Sequence, residues 1–406
     1  MDPREIRISA FNYHLPPERI AQFPLKERDS SKLLIVRDGV IREDVFIHLT
    51  KHLPPAGLMI VNDTRVIPAR LLFRKQTGTC IEVFCLEPDG ELNTAMAQTG
   101  KATWKCLVGN AKRWKEEVLE MEIRDDTGAV ILQAGKNNHF PDGTARITFE
   151  WLPANVSFGT ILEMAGATPL PPYIKRKATS DDKQRYQTIY ARFEGSVAAP
   201  TAGLHFTDAL LEKIKAHHFS IEKVTLHVGT GTFKPVSTPT IGGHDMHAEK
   251  VRITRSLLEQ MISHLPGHLM AVGTTTLRSV ESLYWLGNRL FQQGFDAEIS
   301  HVMQWEPYDA KPLVTPRQAL ENLLEYLDRN NREYLDFSTE IIIVPGYSHK
   351  FADSLITNFH LPQSTLLLLI ASFIGDSWKQ AYEYAMAHDF RFLSYGDGCL
   401  FFRESH

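Results

Sequence analysis

An α/β fold interrupted by a compact all-β unit is what this sequence predicts, on three observations. Two short apolar runs near the start, KLLIV at 32–36 and LMIVN at 58–62, lie between turn formers and read as buried strands. From about 66 to 157 the texture becomes a series of short β-rich segments. After 158, helical and strand patterns alternate, which implies a mostly parallel or mixed sheet covered by helices. At 406 residues the chain exceeds one hydrophobic core, so at least two domains are expected.

The β-rich stretch consists of RVIPARLLFRK, CIEVFCLEP, ATWKCLVG, VLEMEIRD, AVILQAG and ARITFEWL. Gly78, Asp89-Gly90, Gly109, Asp126-Thr127-Gly128 and Asp142-Gly143 sit between them as turns, a spacing that predicts a small β-barrel or sandwich. Beyond it FGTILEMAG is an amphipathic helix, and DALLEKIKA is a helix that Thr207 caps. IEKVTLHVG is a strand, ITRSLLEQMISHL a helix, HLMAVGTT a strand running into a Gly turn, and LRSVESLYWLG a helix. EIIIVPG reads as a strand and STLLLLIASFIG as a buried helix capped near Ser364 or Thr365. The segment from about 286 to 340, with the polar helix RQALENLLEYLDRNNREYL, is expected to be an elaboration outside the main sheet.

A hydrophobic share of 43% and a charged share of 23% exclude a disordered or collagen-like chain. With a formal charge of −4, any nucleic-acid site must be a local basic patch. MDPREIRISAF carries early acid and no apolar stretch, so no secretory signal is expected. The longest apolar run, LLLLIASFIG at 366–375, falls short of the roughly 20 residues a membrane span needs. Cys80, Cys85, Cys106 and Cys399 form neither a CxxC pair nor a dense framework, so reduced thiols and a cytoplasmic location are expected.

Histidine-bearing motifs supply the candidate chemistry. VAAPTAGLHFT places His205 among small residues, either as a satisfied core histidine or as a base near neutrality. TLHVGTGTF puts His227 where a strand ends in a Gly-Thr turn, the crevice position of open α/β sheets. GTGT lacks the dinucleotide fingerprint. HDMHAE gathers His244, His247 and Glu249 but not in the HExxH order that puts two histidines one helical turn apart. GTTTLRS at 273–279 is a strand-to-helix turn whose N–H groups and hydroxyls suit a carboxylate or phosphate, with Arg278 as ionic partner; helix capping is its plain reading. TNFHLPQSTL adds His360, and YGDG at 395–398 adds Asp397. PPYIKRK combines Tyr173 with Lys175, Arg176 and Lys177, and VNDTRVIPARLLFRK adds Arg65 and Arg70; an aromatic beside cations fits a phosphate-tracking patch.

Taken in order, FNYHLPPERIAQFPLKERDSSKLL, VNDTRVIPARL, PLPPYIKR, RYQTIYAR, VAAPTAGLHFT, TLHVGTGTF, HDMHAE, AVGTTTLRSVES, PGY, LITNFHLPQSTLLLL and YGDG resemble the S-adenosylmethionine:tRNA ribosyltransferase-isomerase family of queuosine biosynthesis. The resemblance covers nearly the whole chain. It implies transfer and isomerisation of the ribosyl part of S-adenosylmethionine onto the aminomethyl group of a 7-deazaguanine at the tRNA wobble position, giving epoxyqueuosine-tRNA, adenine and methionine. It also implies a discontinuous α/β domain, here 1–65 and 158–406, interrupted by a β-barrel domain at 66–157. The chain departs from the family pattern in the long stretch at about 286–340, and in Gly243 standing where an acid usually precedes His244.

Such chemistry needs a base near neutrality, a proton donor for adenine and a dry pocket. His205 and His227 are the leading pair, followed by His247 and His360. Phe233 and Tyr395 are the aromatic candidates for the sulfonium, each worth on the order of 0.5 to 2 kcal/mol. Glu249 and Asp397 are its ionic candidates, and Thr274, Thr275 and Thr276 with Arg278 the candidates for the methionyl carboxylate. Tyr173, Lys175, Arg176, Lys177, Arg65 and Arg70 are the tRNA candidates. S-adenosylmethionine is a co-substrate, so no resident cofactor, metal or membrane partner is expected, and a monomer is. The rival readings are a non-catalytic RNA-binding protein that uses the barrel as its platform, and a metal-dependent hydrolase built on His244, His247 and Glu249.

Overall fold

The first strands, β1 (Lys32–Arg37) and β2 (Val40–Val45), form a hairpin, and β3 (Gly57–Asn62) follows. Next come β4 (Thr64–Val66), β5 (Arg70–Arg74), β6 (Cys80–Pro88), α1 (Leu92–Ala97), β7 (Lys101–Gly109), β8 (Leu119–Asp125), β9 (Gly128–His139) and β10 (Ala145–Leu152). Then follow α2 (Phe158–Ala165), α3 (Asp182–Arg185), β11 (Phe193–Ser196), α4 (Asp208–Ala216), β12 (Phe219–His227), β13 (Glu249–Thr254), α5 (Arg255–His264), β14 (Leu269–Val272) and α6 (Thr274–Gln293). The chain ends with β15 (His301–Val302), α7 (Glu306–Asp309), α8 (Pro316–Arg329), β16 (Tyr334–Thr339), β17 (Ser354–Asn358), α9 (Thr365–Ile374), α10 (Ser377–Ala387) and β18 (Gly398–Phe402). This computed structural model describes residues 2–125, 128–227 and 236–404.

Among the described residues, ten strands make one mixed sheet in the order β15-β16-β13-β12-β3-β14-β17-β18-β1-β2. β12, β3, β14 and β17 are mutually parallel. Side chains alternate across the sheet: Leu58, Ile60, Leu269 and Ala271 share a core with α5, α6, α8 and α9, whereas Met59, Val61, Met270 and Val272 pack with α4. Burial on both faces explains why KLLIV and LMIVN are continuous apolar runs.

β5 to β10 form a separate antiparallel sheet in the order β5-β6-β7-β10-β9-β8, whose edge strands approach each other in a nearly closed barrel. Buried residues alternate along β10, where Ala145, Ile147, Phe149 and Trp151 face inward. Phe158 of α2 plugs one end, with its ring 5.1–5.6 Å from those of Trp104, Phe149 and Trp151.

Caps fall where the sequence places them: the Thr207 and Ser364 hydroxyls accept from the N–H groups of Leu210 and Leu367. Two expectations need correction. EIIIVPG is not a strand; β16 is the preceding YLDFST, and 340–346 is irregular chain in which Ile341, Ile342, Ile343 and Val344 are buried. There the Glu340 and Ile342 N–H groups donate to the Val302 and Gln304 carbonyls, so the apolar run reports burial without a strand ladder. Nor is 286–340 outside the sheet. β15 and β16 are its outer strands, and α8 buries Leu320, Leu323 and Leu327 against α5 and α6. Truncating any of these leucines would cost about 2–5 kcal/mol, the mark of core rather than appendage.

Candidate active site

β12, β3, β14 and β17 end at one edge of the sheet, where β18 and β1 begin. The chain places β12 and β13 on one side of β3, then returns to place β14 on the other. Such a reversal opens a crevice at the strand ends. A cleft with about 80 Å³ of room for solvent lies there, lined by Ala198–Ala202, Gly273–Thr275, Thr357–Leu361, Tyr173 and Ser394. The small side chains of VAAPTA let a substrate approach the backbone closely.

His205 is buried in the 3₁₀ turn Thr201–His205, stacked on Phe46 at 4.8 Å. One N–H of the Asn358 amide donates to His205 Nε2 at 3.0 Å, and the other reaches the Asp397 carbonyl at 3.4 Å. With both amide hydrogens spent, Nε2 is the acceptor, so the ring proton sits on Nδ1 and is donated to Ser31 Oγ at 2.9 Å. Burial pushes His205 down to about 4, which keeps the ring neutral. It stands behind Asn358, in a separate recess of about 20 Å³ shared with Ser31 and Tyr395. The Asn358 Oδ1, by contrast, is buried without a hydrogen-bond partner among the described residues. An acceptor left so costs about 1–3 kcal/mol.

His360 lines the cleft, its Nε2 3.0 Å from Thr357 Oγ1. Its N–H donates to the Tyr382 hydroxyl, its carbonyl accepts from Tyr13, and burial pushes it down to about 3. His227 ends β12 at the same edge of the sheet, outside the residues that line this cleft. The Thr64 hydroxyl lies 3.2 Å from His227 Nδ1 and 3.4 Å from the Phe193 carbonyl. Gly195, at φ +147°, is required here, because a Cβ would lie 2.6 Å from the His227 ring. Burial lowers His227 as well.

Gly273, at φ +95°, turns β14 into α6, so the first N–H groups of a 20-residue helix open toward the cleft with no side-chain cap. Thr274 and Thr275 line it, and the buried Thr276 Oγ1 has no partner among the described residues. Arg278 is turned away: it donates to the Ile341 carbonyl at 2.9 Å and to Glu249 Oε2 at 2.8 Å in a buried ion pair. Arg278 and Glu249 thus serve each other. His247 is exposed, and His244 accepts from Gln304 through its carbonyl. Among the described residues, no three His, Cys, Asp or Glu side chains are grouped to hold a metal.

Asp397 also faces the protein: its carboxylate accepts from the Lys32 and Arg391 N–H groups at 3.0 and 2.7 Å, and burial raises it. The Tyr395 hydroxyl donates to Asp182 at 2.8 Å, and Arg176 grips the same carboxylate at 2.6 and 2.7 Å. Burial alone would raise Asp182, yet Arg176, the Thr179 N–H and Tyr395 hold it down at about 2. Arg176 therefore ties its segment to YGDG while its guanidinium covers the exposed Phe23 ring at 4.2 Å. Lys175, Lys177 and Arg65 are exposed; Arg70 donates to the Leu170 carbonyl at the barrel junction. Tyr173 lines the cleft and hydrogen-bonds Ser394 at 2.6 Å. Phe233 and the Gly-Thr turn after His227 lie outside the described residues. Asn358, Ser31 and Thr357 went unread in the sequence, although Asn358 stands two positions before His360.

A family model described as queuosine biosynthesis protein matches residues 8–401. The S-adenosylmethionine:tRNA ribosyltransferase-isomerase of Thermotoga petrophila is 36% identical over 400 residues, 97% of this chain and 99% of that protein. Its namesake from Azoarcus sp. is 36% identical over 406 residues, 99% of each, and that from Halothermothrix orenii is 37% identical over 402, 97% and 99%. The crystal structure of S-adenosylmethionine tRNA ribosyltransferase from Thermotoga maritima is similar with a TM-score of 0.46 and 26% identity, covering 97% of this chain and 100% of that one. By its match from end to end, this chain belongs to the queuosine biosynthesis protein family.

Proposed function

We propose that this chain transfers and isomerises the ribosyl moiety of S-adenosylmethionine onto the aminomethyl group of a 7-deazaguanine at the tRNA wobble position, releasing adenine and methionine. One observation carries this: full-length relatives at 35–37% identity bear the name of that activity. The crevice, with the His360 imidazole, small residues and an uncapped helix N-terminus, suits a sulfonium nucleoside. The chain divides into a discontinuous α/β unit, 1–65 and 158–406, with the barrel at 66–157, and works in the cytoplasm as a monomer.

The sulfonium acidifies the ribose 5′ hydrogens. His227 takes one of them; the electron pair left on C5′ forms a C4′=C5′ double bond as the ring C4′–O4′ bond breaks, and the oxygen's electrons become the C1′ carbonyl as adenine is expelled and protonated. The tRNA amine then adds to C4′ of the vinyl sulfonium, the C5′ ylide so formed attacks the C1′ aldehyde to close a five-membered carbocycle, and the resulting alkoxide displaces methionine from C5′ to close the epoxide. The Thr274 and Thr275 N–H groups hold the methionyl carboxylate. Lys175, Lys177 and Arg65 meet RNA phosphates, and Tyr173 borders the base pocket.

Purified protein is mixed with S-adenosylmethionine and tRNA carrying the aminomethyl deazaguanine, and free adenine and methionine are followed by chromatography. Stoichiometric release of both with formation of the modified tRNA is expected. RNA binding without either product would point instead to a non-catalytic RNA-binding protein.

A further inference from the structure

We infer that Asn358 Oδ1 is the acceptor that holds a ribose hydroxyl of the co-substrate, and that His205 is the positioning residue that fixes the Asn358 amide for it. This rests on the reaction proposed above. Asn358 lines the cleft at the end of β17, and its Oδ1 is a buried acceptor that nothing among the described residues satisfies. The observed orientation sets Nδ2, rather than Oδ1, against the Asp397 carbonyl at 3.4 Å. His205 holds it from behind, and Ser31 holds His205.

What Asn358 presents selects its ligand. Recognition of an adenine edge needs a donor and an acceptor side by side, and both of its donors are spent. An ammonium would call for a carboxylate, yet the Asp397 carboxylate is given to backbone N–H groups. A single neutral donor remains, and the ribose hydroxyls of a sulfonium nucleoside are such donors. Ala198, Ala199 and Ala202 leave room for the sugar to lie close.

Calorimetric titration of S-adenosylmethionine and its 2′-deoxy and 3′-deoxy analogues, without tRNA, tests the contact. The protein as it stands should bind one deoxy analogue roughly tenfold more weakly than S-adenosylmethionine, and Asn358→Ala should abolish that discrimination, a ratio insensitive to the folded fraction. His205→Gln, whose side-chain carbonyl can accept from Asn358, should restore the discrimination that His205→Leu loses. Imidazole ¹⁵N shifts should show His205 protonated at Nδ1 and bare at Nε2. No discrimination in the unmodified protein, or the same ratio in Asn358→Ala, overturns the contact. Equal loss in both His205 variants overturns the role given to His205. Intact discrimination without adenine release would instead sink the proposed reaction and leave the contact standing.

Discussion

The two edges of the large sheet have opposite character. Where β14 and β17 begin there is a cleft of about 730 Å³, far roomier than the one at their ends, and it is rich in charge. Yet much of that charge is answered within the protein: Arg403 pairs with Asp353 at 2.9 Å, Ser377 donates to Glu404 at 3.0 Å, and His268 lies 2.8 Å from Ser354 Oγ. At the other edge, buried polar atoms such as Asn358 Oδ1 and Thr276 Oγ1 stand without partners among the described residues. Unspent hydrogen-bonding capacity on a cleft wall, rather than volume alone, points to a ligand, because a ligand there can repay the desolvation.

The largest effect that would break this contrast comes from His227. Its replacement by Gln keeps a polar side chain beside Thr64 but removes a basic nitrogen. Adenine release should fall roughly 10²- to 10⁴-fold, the usual worth of a general base, while S-adenosylmethionine binding stays within a few-fold. Near-normal turnover would remove His227 from the chemistry and leave the crevice without its base.

Much of this architecture was legible because period-2 alternation is local. CIEVFCLEP coincides with β6 and ARITFEWL with β10, each bounded by the turn residues that announce it. EIIIVPG failed because an unbroken apolar run reports burial, not the ladder partner that makes a strand. The polar face of α8 concealed that its other face closes the core. In the site, titratable residues drew attention and an amide did not, although Asn358 adjoins the cleft and His205 stands behind it. Arg278 and Glu249 looked like ligands until the fold brought them together 29 positions apart. Which hydrogen bonds a side chain has already spent is a property of tertiary contacts alone.

Acid should expose the cost of keeping the crevice neutral. His205 titrates near 6.5 in an unfolded chain and at about 4 when buried, so its contribution is complete above pH 6.5 and lost as pH falls toward 4. At about 1.4 kcal/mol per pH unit this amounts to roughly 3 kcal/mol. His360, pushed to about 3, acts in the same direction. Urea unfolding followed from pH 7 to pH 4 should therefore show falling stability, with a shallower slope in His205→Gln. Parallel slopes for the two proteins would mean that His205 is not held neutral by the fold.

The smallest effect belongs to the opposite edge. Asp353 accepts from Arg403 at 2.9 Å and from the Leu269 N–H at 3.0 Å, with both charged partners about a third exposed. Asp353→Asn keeps one acceptor for the backbone N–H and removes a screened charge pair, so urea unfolding should register a loss of about 1 kcal/mol or less. Adenine release should not change, because nothing at that edge reaches the strand ends where the cleft lies. A drop in turnover without a matching drop in stability would show that the two edges communicate through the parallel strands. The roomier cleft would then be part of the working site rather than the framework beneath it.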